Sequence, residues 1–176
     1  MDVTKITAGR NPPFDLHAII EIPVGGAPVK YELDKSSGAM FVDRFLHTAM
    51  FYPGNYGFIP QTLSQDGDPC DVLVIAPVAV ASGAVIRCRP VGALLMEDQA
   101  GIDEKIIAVP VDDLHPFYTD IGSYLDLPKI MREQIAHFFH HYKDLERGKW
   151  TSIGEWAGVE DSHRLIMEAI QRAANR

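Results

Sequence analysis

The chain has 176 residues, of which 47% are hydrophobic, so it can bury a core and does not have the composition of a disordered protein. Its 24 acidic and 16 basic side chains give a formal net charge of −8, which argues against nucleic acid and anionic membranes as partners. There is no apolar stretch of membrane-spanning length and no secretory signal in residues 1–11. The two cysteines lack disulfide spacing, so we expect one cytoplasmic domain over residues 1–176.

The first two thirds of the chain have the pattern of short β-strands. Apolar runs separated by Gly and Pro turns predict strands at 18–23, 29–34, 39–46, 72–76, 85–97 and 102–109. Lys30 and Glu32 alternate with apolar residues and should share one face of their strand. Asp103 and Lys105 should share a face in the same way. Several short strands joined by such turns predict a closed or nearly closed barrel.

The last third of the chain has the pattern of helices. Residues 126–128 resemble a helix start, with proline tolerated in the first turn, and an apolar stripe then runs from Met131 to Tyr142. A final helix is expected to begin near Ser162. Strands followed by helices predict an α+β fold with C-terminal helices packed on the strands.

The strongest local signal is the acidic run at residues 66–71. Asp66, Asp68 and Asp71 repel one another, and Gly67 and Pro69 favour a turn over a helix. Hard carboxylate oxygens favour Mg²⁺, Mn²⁺ or Ca²⁺. A solvated turn explains the run about equally well, so the motif alone does not decide between these interpretations.

Two other places bring carboxylates near lysines. One is the strand face that carries Lys30 and Glu32, and the other is the predicted hairpin with Asp98, Asp103 and Lys105. Each alone fits an ordinary solvent-facing strand or turn. Together with the acidic run, however, they supply what phosphoryl transfer needs, since carboxylates can hold metals while cations neutralise phosphate oxygens.

Over nearly its whole length the chain resembles the soluble inorganic pyrophosphatases of the barrel type, in their bacterial form. The resemblance rests on the blocks at 19–23, 30–32, 41–44, 51–57, 66–71, 85–92 and 137–143. It implies a five-stranded barrel like the oligonucleotide-binding fold, with helices packed on it. It also implies hydrolysis of pyrophosphate to two phosphates with several Mg²⁺ ions, for which Mn²⁺ could substitute. Relatives of this form imply a homo-oligomer, a hexamer, with the face of His137, His140 and His141 as a possible contact.

The resemblance also implies roles for thirteen residues. The metal ligands would be Glu21, Glu32, Asp66, Asp71, Asp98 and Asp103. Phosphate oxygens would be bound by Lys30, Arg44, Lys105, Tyr142 and Lys143, with Tyr56 lining the site. Asp68 would be the general base that takes a proton from a metal-activated water. The seven carboxylates and four cations in this set carry a formal charge of −3, so an anionic substrate would need metal ions to bind.

Three other functions fit the sequence less well. A related hydrolase of nucleotides would need an element that binds a base or ribose, and none is evident. A barrel that binds single-stranded nucleic acid would need a basic groove with stacking aromatics, which the charge of −8 opposes. A Ca²⁺-binding module would have no use for the lysines and Arg44.

Overall fold

A computed structural model describes residues 2–175 and contains, within that range, ten β-strands and two α-helices. The strands are β1 (Gly9–Asn11), β2 (Asp15–Ile22), β3 (Val29–Leu33), β4 (Met40–Phe45), β5 (Asn55–Phe58), β6 (Asp71–Val74), β7 (Val85–Asp98), β8 (Gly101–Ile102), β9 (Lys105–Pro110) and β10 (Thr151–Ala157). The helices are α1 (Lys129–His141) and α2 (Val159–Ala174), and short 3₁₀ turns lie at Val3–Lys5, Pro116–Tyr118 and Tyr124–Asp126. The predicted α+β class is therefore confirmed.

Five strands of the main sheet pair in a circuit. The order is β2, β5, β6, β9 and β7, and β7 pairs again with β2. The pairing of β6 with β9 is parallel, whereas the other four pairings are antiparallel. In the parallel pair Asp71 lies opposite Lys105, so the topology brings together two charged residues that are far apart in sequence.

The two helices cover opposite sides of these strands. Successive residues of a strand point to opposite faces, and Val72 and Leu73 accordingly belong to different hydrophobic clusters. Helix α1 packs on the Leu73 side through residues such as Phe139, and α2 packs on the Val72 side through Ile166. The charged ends of β6, β7 and β9 thus project from a well-packed core.

Strands β3 and β4 form a separate antiparallel hairpin. Its register shifts between Lys30 and Tyr31, which marks a bulge in the strand. Leu33 at the end of β3 is buried in a small cluster with Ile19 and Phe58. The hairpin therefore stands over the main sheet, and its charged side chains are directed at the same end of the molecule as Asp71.

The predicted strand ranges miss β1, β5 and β10 entirely and include only Ile102 of β8. Strand β5 is only four residues long and contains Gly57, where a Cβ atom would lie 1.9 Å from the carbonyl oxygen of Ile19. Glycine is thus required by the close approach to β2, although it weakens the strand pattern in the sequence. Strand β10 mixes exposed and half-buried residues and is held by β7. No helix within residues 2–175 is long and apolar enough to cross a membrane.

Candidate active site

One cavity of about 280 Å³ brings together all thirteen residues that the sequence singled out. It is lined by Glu21, Lys30, Glu32, Arg44, Tyr56, Asp66, Asp68, Asp71, Asp98, Asp103, Lys105, Tyr142 and Lys143. They come from strands β2 to β7 and β9, from the turns between them, and from the segment after α1. The three separate groups of charges in the sequence therefore share one pocket.

The floor of the pocket contains a buried lysine held by two aspartates. Lys105 is 2% exposed, and its ammonium donates hydrogen bonds to both Asp71 and Asp103. Burial alone would lower the pKa of Lys105, but these two carboxylates raise it well above its usual value. The hydroxyl of Tyr56 donates to Oδ2 of Asp71 over 2.7 Å. Lys105 is therefore a fixed positive charge at the bottom of the pocket.

A second buried ion pair lies beside the first. The Nζ atom of Lys143 donates to Oδ2 of Asp98 over 2.6 Å, and both side chains are less than a tenth exposed. The backbone N–H of Ala100 donates to the other oxygen of Asp98 over 2.7 Å. Burial opposes ionisation of this carboxyl, but the two donors outweigh it, so the pKa of Asp98 is lowered. Asp98 is thus a stable anion that positions Lys143.

The acidic turn forms the more exposed side of the pocket. Gly67 has a φ of +95°, a conformation that glycine adopts without strain. The N–H of Asp68 donates to Oδ1 of Asp66 over 3.0 Å, and the N–H of Cys70 donates to Thr62 over 2.9 Å. These bonds anchor the backbone of the turn at both ends. The side chain of Asp68 stays exposed at the pocket.

Several carboxylates in the pocket are held in surroundings that disfavour their charge. Burial, together with the nearby charges of Asp71 and Glu32, raises the pKa of Glu21 to about 7, although Leu33 N–H donates to it over 2.9 Å. Desolvation and neighbouring aspartates raise the pKa of Asp66. Burial and the charge of Asp71 likewise raise the pKa of Asp103, with Lys105 opposing them. The site is therefore crowded with negative charge.

Two lysines of the pocket were missed in the sequence. Lys35 and Lys149 also line the cavity. With them the pocket is lined by seven carboxylates and six cationic side chains, which carry a formal charge of −1, whereas the thirteen selected residues alone carry −3. Lys35 follows β3 in a Ser- and Gly-rich turn, and Lys149 lies in an irregular segment, so neither has a periodic pattern that would reveal it.

The donor set fits divalent metal ions of the hard class. All the candidate ligands are carboxylate oxygens, which such ions prefer. Burial and, to a lesser extent, neighbouring carboxylates raise the pKa values of Glu21, Asp66 and Asp103, and a bound cation would stabilise the charged form of each. Among the described residues no three carboxyl, imidazole or thiol groups form a ready-made cage. Lysine ammonium groups lie against Asp71, Asp98 and Asp103 instead.

Comparison with known proteins connects the pocket to a family. Residues 18–174 match the family model described as inorganic pyrophosphatase. An inorganic pyrophosphatase from Caulobacter vibrioides is 65% identical over 98% of this chain and 97% of its own length.

Solved structures agree with this match. One described as an inorganic phosphatase from Anaplasma phagocytophilum superposes with a TM-score of 0.95 at 48% identity, covering 97% of this chain and 99% of the other. An inorganic pyrophosphatase from Coxiella burnetii superposes with a TM-score of 0.92 at 46% identity, covering 95% and 99%. The likeness therefore extends over almost the full length of each protein.

Proposed function

The chain belongs to the inorganic pyrophosphatase family, and on that premise we propose that it hydrolyses pyrophosphate to two phosphate ions with Asp68 as the general base. The observation that supports this most strongly is the convergence of seven carboxylates and six cationic side chains on one cavity of about 280 Å³. Phosphoryl transfer needs this mixture, because charge spread over the phosphate oxygens must be neutralised while water is positioned for attack.

Four cationic side chains and one tyrosine bind the substrate in this proposal. Lys30, Arg44, Lys105, Tyr142 and Lys143 hold phosphate oxygens, and Tyr56 lines the pocket beside them. Lys105 and Lys143 are pre-oriented by their carboxylate partners, so little side-chain entropy is lost when substrate binds. A fixed pair of donors at the bottom of the pocket would also stabilise charge on the departing phosphate.

Asp68 receives the proton of the attacking water. Its exposed carboxylate lies on a turn whose backbone is anchored by Asp66 and Thr62, so it can reach solvent without losing its orientation. Within residues 2–175 it has no cationic partner that would compete for its lone pairs. General-base catalysis by a positioned group contributes roughly 10²–10⁴-fold to a rate.

The carboxylates supply the metal sites in this proposal. Glu21, Glu32, Asp66, Asp71, Asp98 and Asp103 are the ligands expected for several Mg²⁺ ions, with Mn²⁺ as a possible substitute. When bound, such ions lower the pKa of water and neutralise an anionic substrate. The raised pKa values of Glu21, Asp66 and Asp103 support this role, since each carboxyl would be stabilised by a nearby cation.

The family also suggests the architecture and assembly. We propose that the five-strand circuit is the barrel of the oligonucleotide-binding type within a single domain of residues 1–176, working in the cytoplasm. We further propose a homo-oligomer, a hexamer by analogy, in contact through the histidine face of α1. That face supports the idea because His137 and His140 are exposed and their rings lie 4.7 Å and 4.5 Å from that of His141. Light scattering would measure the oligomeric state.

Phosphate release from pyrophosphate and from ATP, measured in parallel with Mg²⁺, tests the proposed reaction. We expect rapid release from pyrophosphate and little from ATP, because the pocket lining, within residues 2–175, is mostly charged and has no evident base-binding element. Equal or faster turnover of ATP would favour the nucleotide hydrolase. If neither substrate is hydrolysed, the pocket belongs to a binding protein and the proposal is wrong.

A further inference from the structure

A buried carboxylate outside the pocket connects two of its cations. Glu146, in the segment after α1, is 7% exposed. Its Oε2 atom lies 3.0 Å from Nε of Arg44 and 3.0 Å from Nζ of Lys149. Arg44 is on β4 of the hairpin, whereas Lys149 is on the same segment as Glu146. One carboxylate therefore joins cations from two separate parts of the chain, and both of those cations line the pocket.

A second contact between the hairpin end and this segment accompanies the ion pair. Nδ1 of His47, just beyond β4, lies 3.2 Å from the carbonyl oxygen of Leu145. The hairpin belongs to its own two-stranded sheet, so its position over the pocket depends on such side-chain contacts. Glu146 is thus placed where it can fix both the direction of Arg44 and the distance of the hairpin from Lys149.

The bonding of Glu146 is poorly explained by stability alone. Its second oxygen, Oε1, is buried without a hydrogen-bond partner in the part of the chain that the structure describes, and so is Nε of Arg44, so the Glu146–Arg44 contact is an ion pair and not a hydrogen bond. A buried carboxylate with an unsatisfied oxygen costs folding free energy, and a well-packed apolar residue would avoid that cost. Asp43, the other carboxylate on Arg44 at 2.7 Å, is 31% exposed and can be solvated. Of the two carboxylates on Arg44, Glu146 is therefore the one whose presence indicates a functional role.

We propose that Glu146 is a positioning residue, which holds Arg44 and Lys149 in the arrangement that grips the phosphate groups of the substrate. This inference rests on the proposed function and adds Lys149 to the cations that contact phosphate. The proposal and simple electrostatics predict opposite changes in anion affinity when Glu146 loses its charge. Removing an anion next to the pocket should strengthen the binding of another anion if only net charge matters, whereas loss of positioning should weaken it.

The test compares Glu146→Gln with wild type in affinity for inorganic phosphate, by calorimetry with Mg²⁺, and in the KM for pyrophosphate. We expect phosphate affinity to fall and KM to rise by about tenfold, the size of one charge-assisted hydrogen bond. Asp144→Asn, which removes the same charge from an exposed site in the same segment, is the matched control and should change neither value. Unchanged or tighter phosphate binding in Glu146→Gln would overturn the proposal.

A double-mutant cycle with Arg44→Ala shows whether Glu146 acts through its partners. In the Arg44→Ala background the effect of Glu146→Gln should shrink to about threefold or less, leaving only the part that acts through Lys149. An undiminished tenfold effect there would overturn the positioning role. If Glu146→Gln does not fold, Glu146→Asp carries the test, since it keeps the charge but shortens its reach. It should lose about threefold in phosphate affinity, and no loss would overturn the proposal.

Failure of the positioning role can be distinguished from failure of the proposed function. A wild-type protein that hydrolyses pyrophosphate, with a Glu146→Gln variant identical to it, contradicts only the positioning role. A wild-type protein that releases no phosphate from pyrophosphate contradicts the proposed function first.

Discussion

The floor and the mouth of the pocket contain similar charged residues, but their carboxylates are paired with lysines on the floor and unpaired at the mouth. The floor consists of Asp71, Asp98, Asp103, Lys105 and Lys143, and every carboxylate there has a lysine partner. The mouth consists of Glu32, Asp66 and Asp68 with Lys30 and Arg44. Among residues 2–175 its three carboxylates have no cationic partner. Its two cations are paired with carboxylates outside the pocket instead, Lys30 with Asp43 and Arg44 with both Asp43 and Glu146.

This difference separates two uses of charge. On the floor, buried charges must be paired because an isolated one would be too costly, so those residues contribute to the fold as well as to the site. At the mouth, solvent stabilises the exposed carboxylates, which can stay unpaired until a ligand binds. Substitutions at the mouth should therefore change activity with little effect on stability, whereas substitutions on the floor should change both.

The largest effect expected at the mouth is that of Asp68→Asn. The amide cannot accept the proton of water, so kcat for pyrophosphate should fall by roughly 10²–10⁴-fold. The free energy of unfolding should change by less than about 0.5 kcal/mol, because the side chain is exposed and has no ion pair. Steady-state kinetics and urea unfolding measure the two quantities. Turnover close to wild type would remove Asp68 from the role of base.

On the floor, Lys105→Met should mainly affect stability. It leaves Asp71 and Asp103 facing each other with their shared partner removed, and breaking a buried pair in this way costs about 3 kcal/mol. Urea unfolding in chelator measures the loss without compensation by metal ions. Lys30→Met at the mouth is the matched control and should cost less than about 1 kcal/mol, since its pair with Asp43 is partly solvated. Equal losses in the two variants would contradict the distinction between floor and mouth.

Much of the pocket could be predicted from the sequence, because its residues lie in short motifs. Three patterns are visible in the sequence alone: the Asp-rich turn, the charged face of β3 and the Asp103–Lys105 pair. All thirteen selected residues line one cavity. The family resemblance supplied the grouping, since spacing alone left each motif open to an ordinary structural explanation.

What could not be predicted depends on contacts between distant segments. Glu146 contacts both Lys149 and Arg44, and Arg44 lies about a hundred residues earlier in the chain. No periodic pattern in the sequence connects these residues. Strand β5 is held by pairing with β2 on one side and β6 on the other. Gly57, which allows the close approach to β2, weakens the strand pattern in the sequence. The charge of −3 covers only the thirteen selected residues, because Lys35 and Lys149 are brought to the pocket by the fold.

The dependence of pyrophosphate hydrolysis on free Mg²⁺ tests most directly whether this crowded carboxylate pocket works as a metal site. Wild-type protein treated with EDTA should release no phosphate, and activity should return as Mg²⁺ is added back. Calorimetry on the same chelated protein should detect Mg²⁺ binding, which Asp71→Asn should weaken by about tenfold or more. Undiminished hydrolysis in EDTA, with no detectable binding of Mg²⁺, would contradict the account.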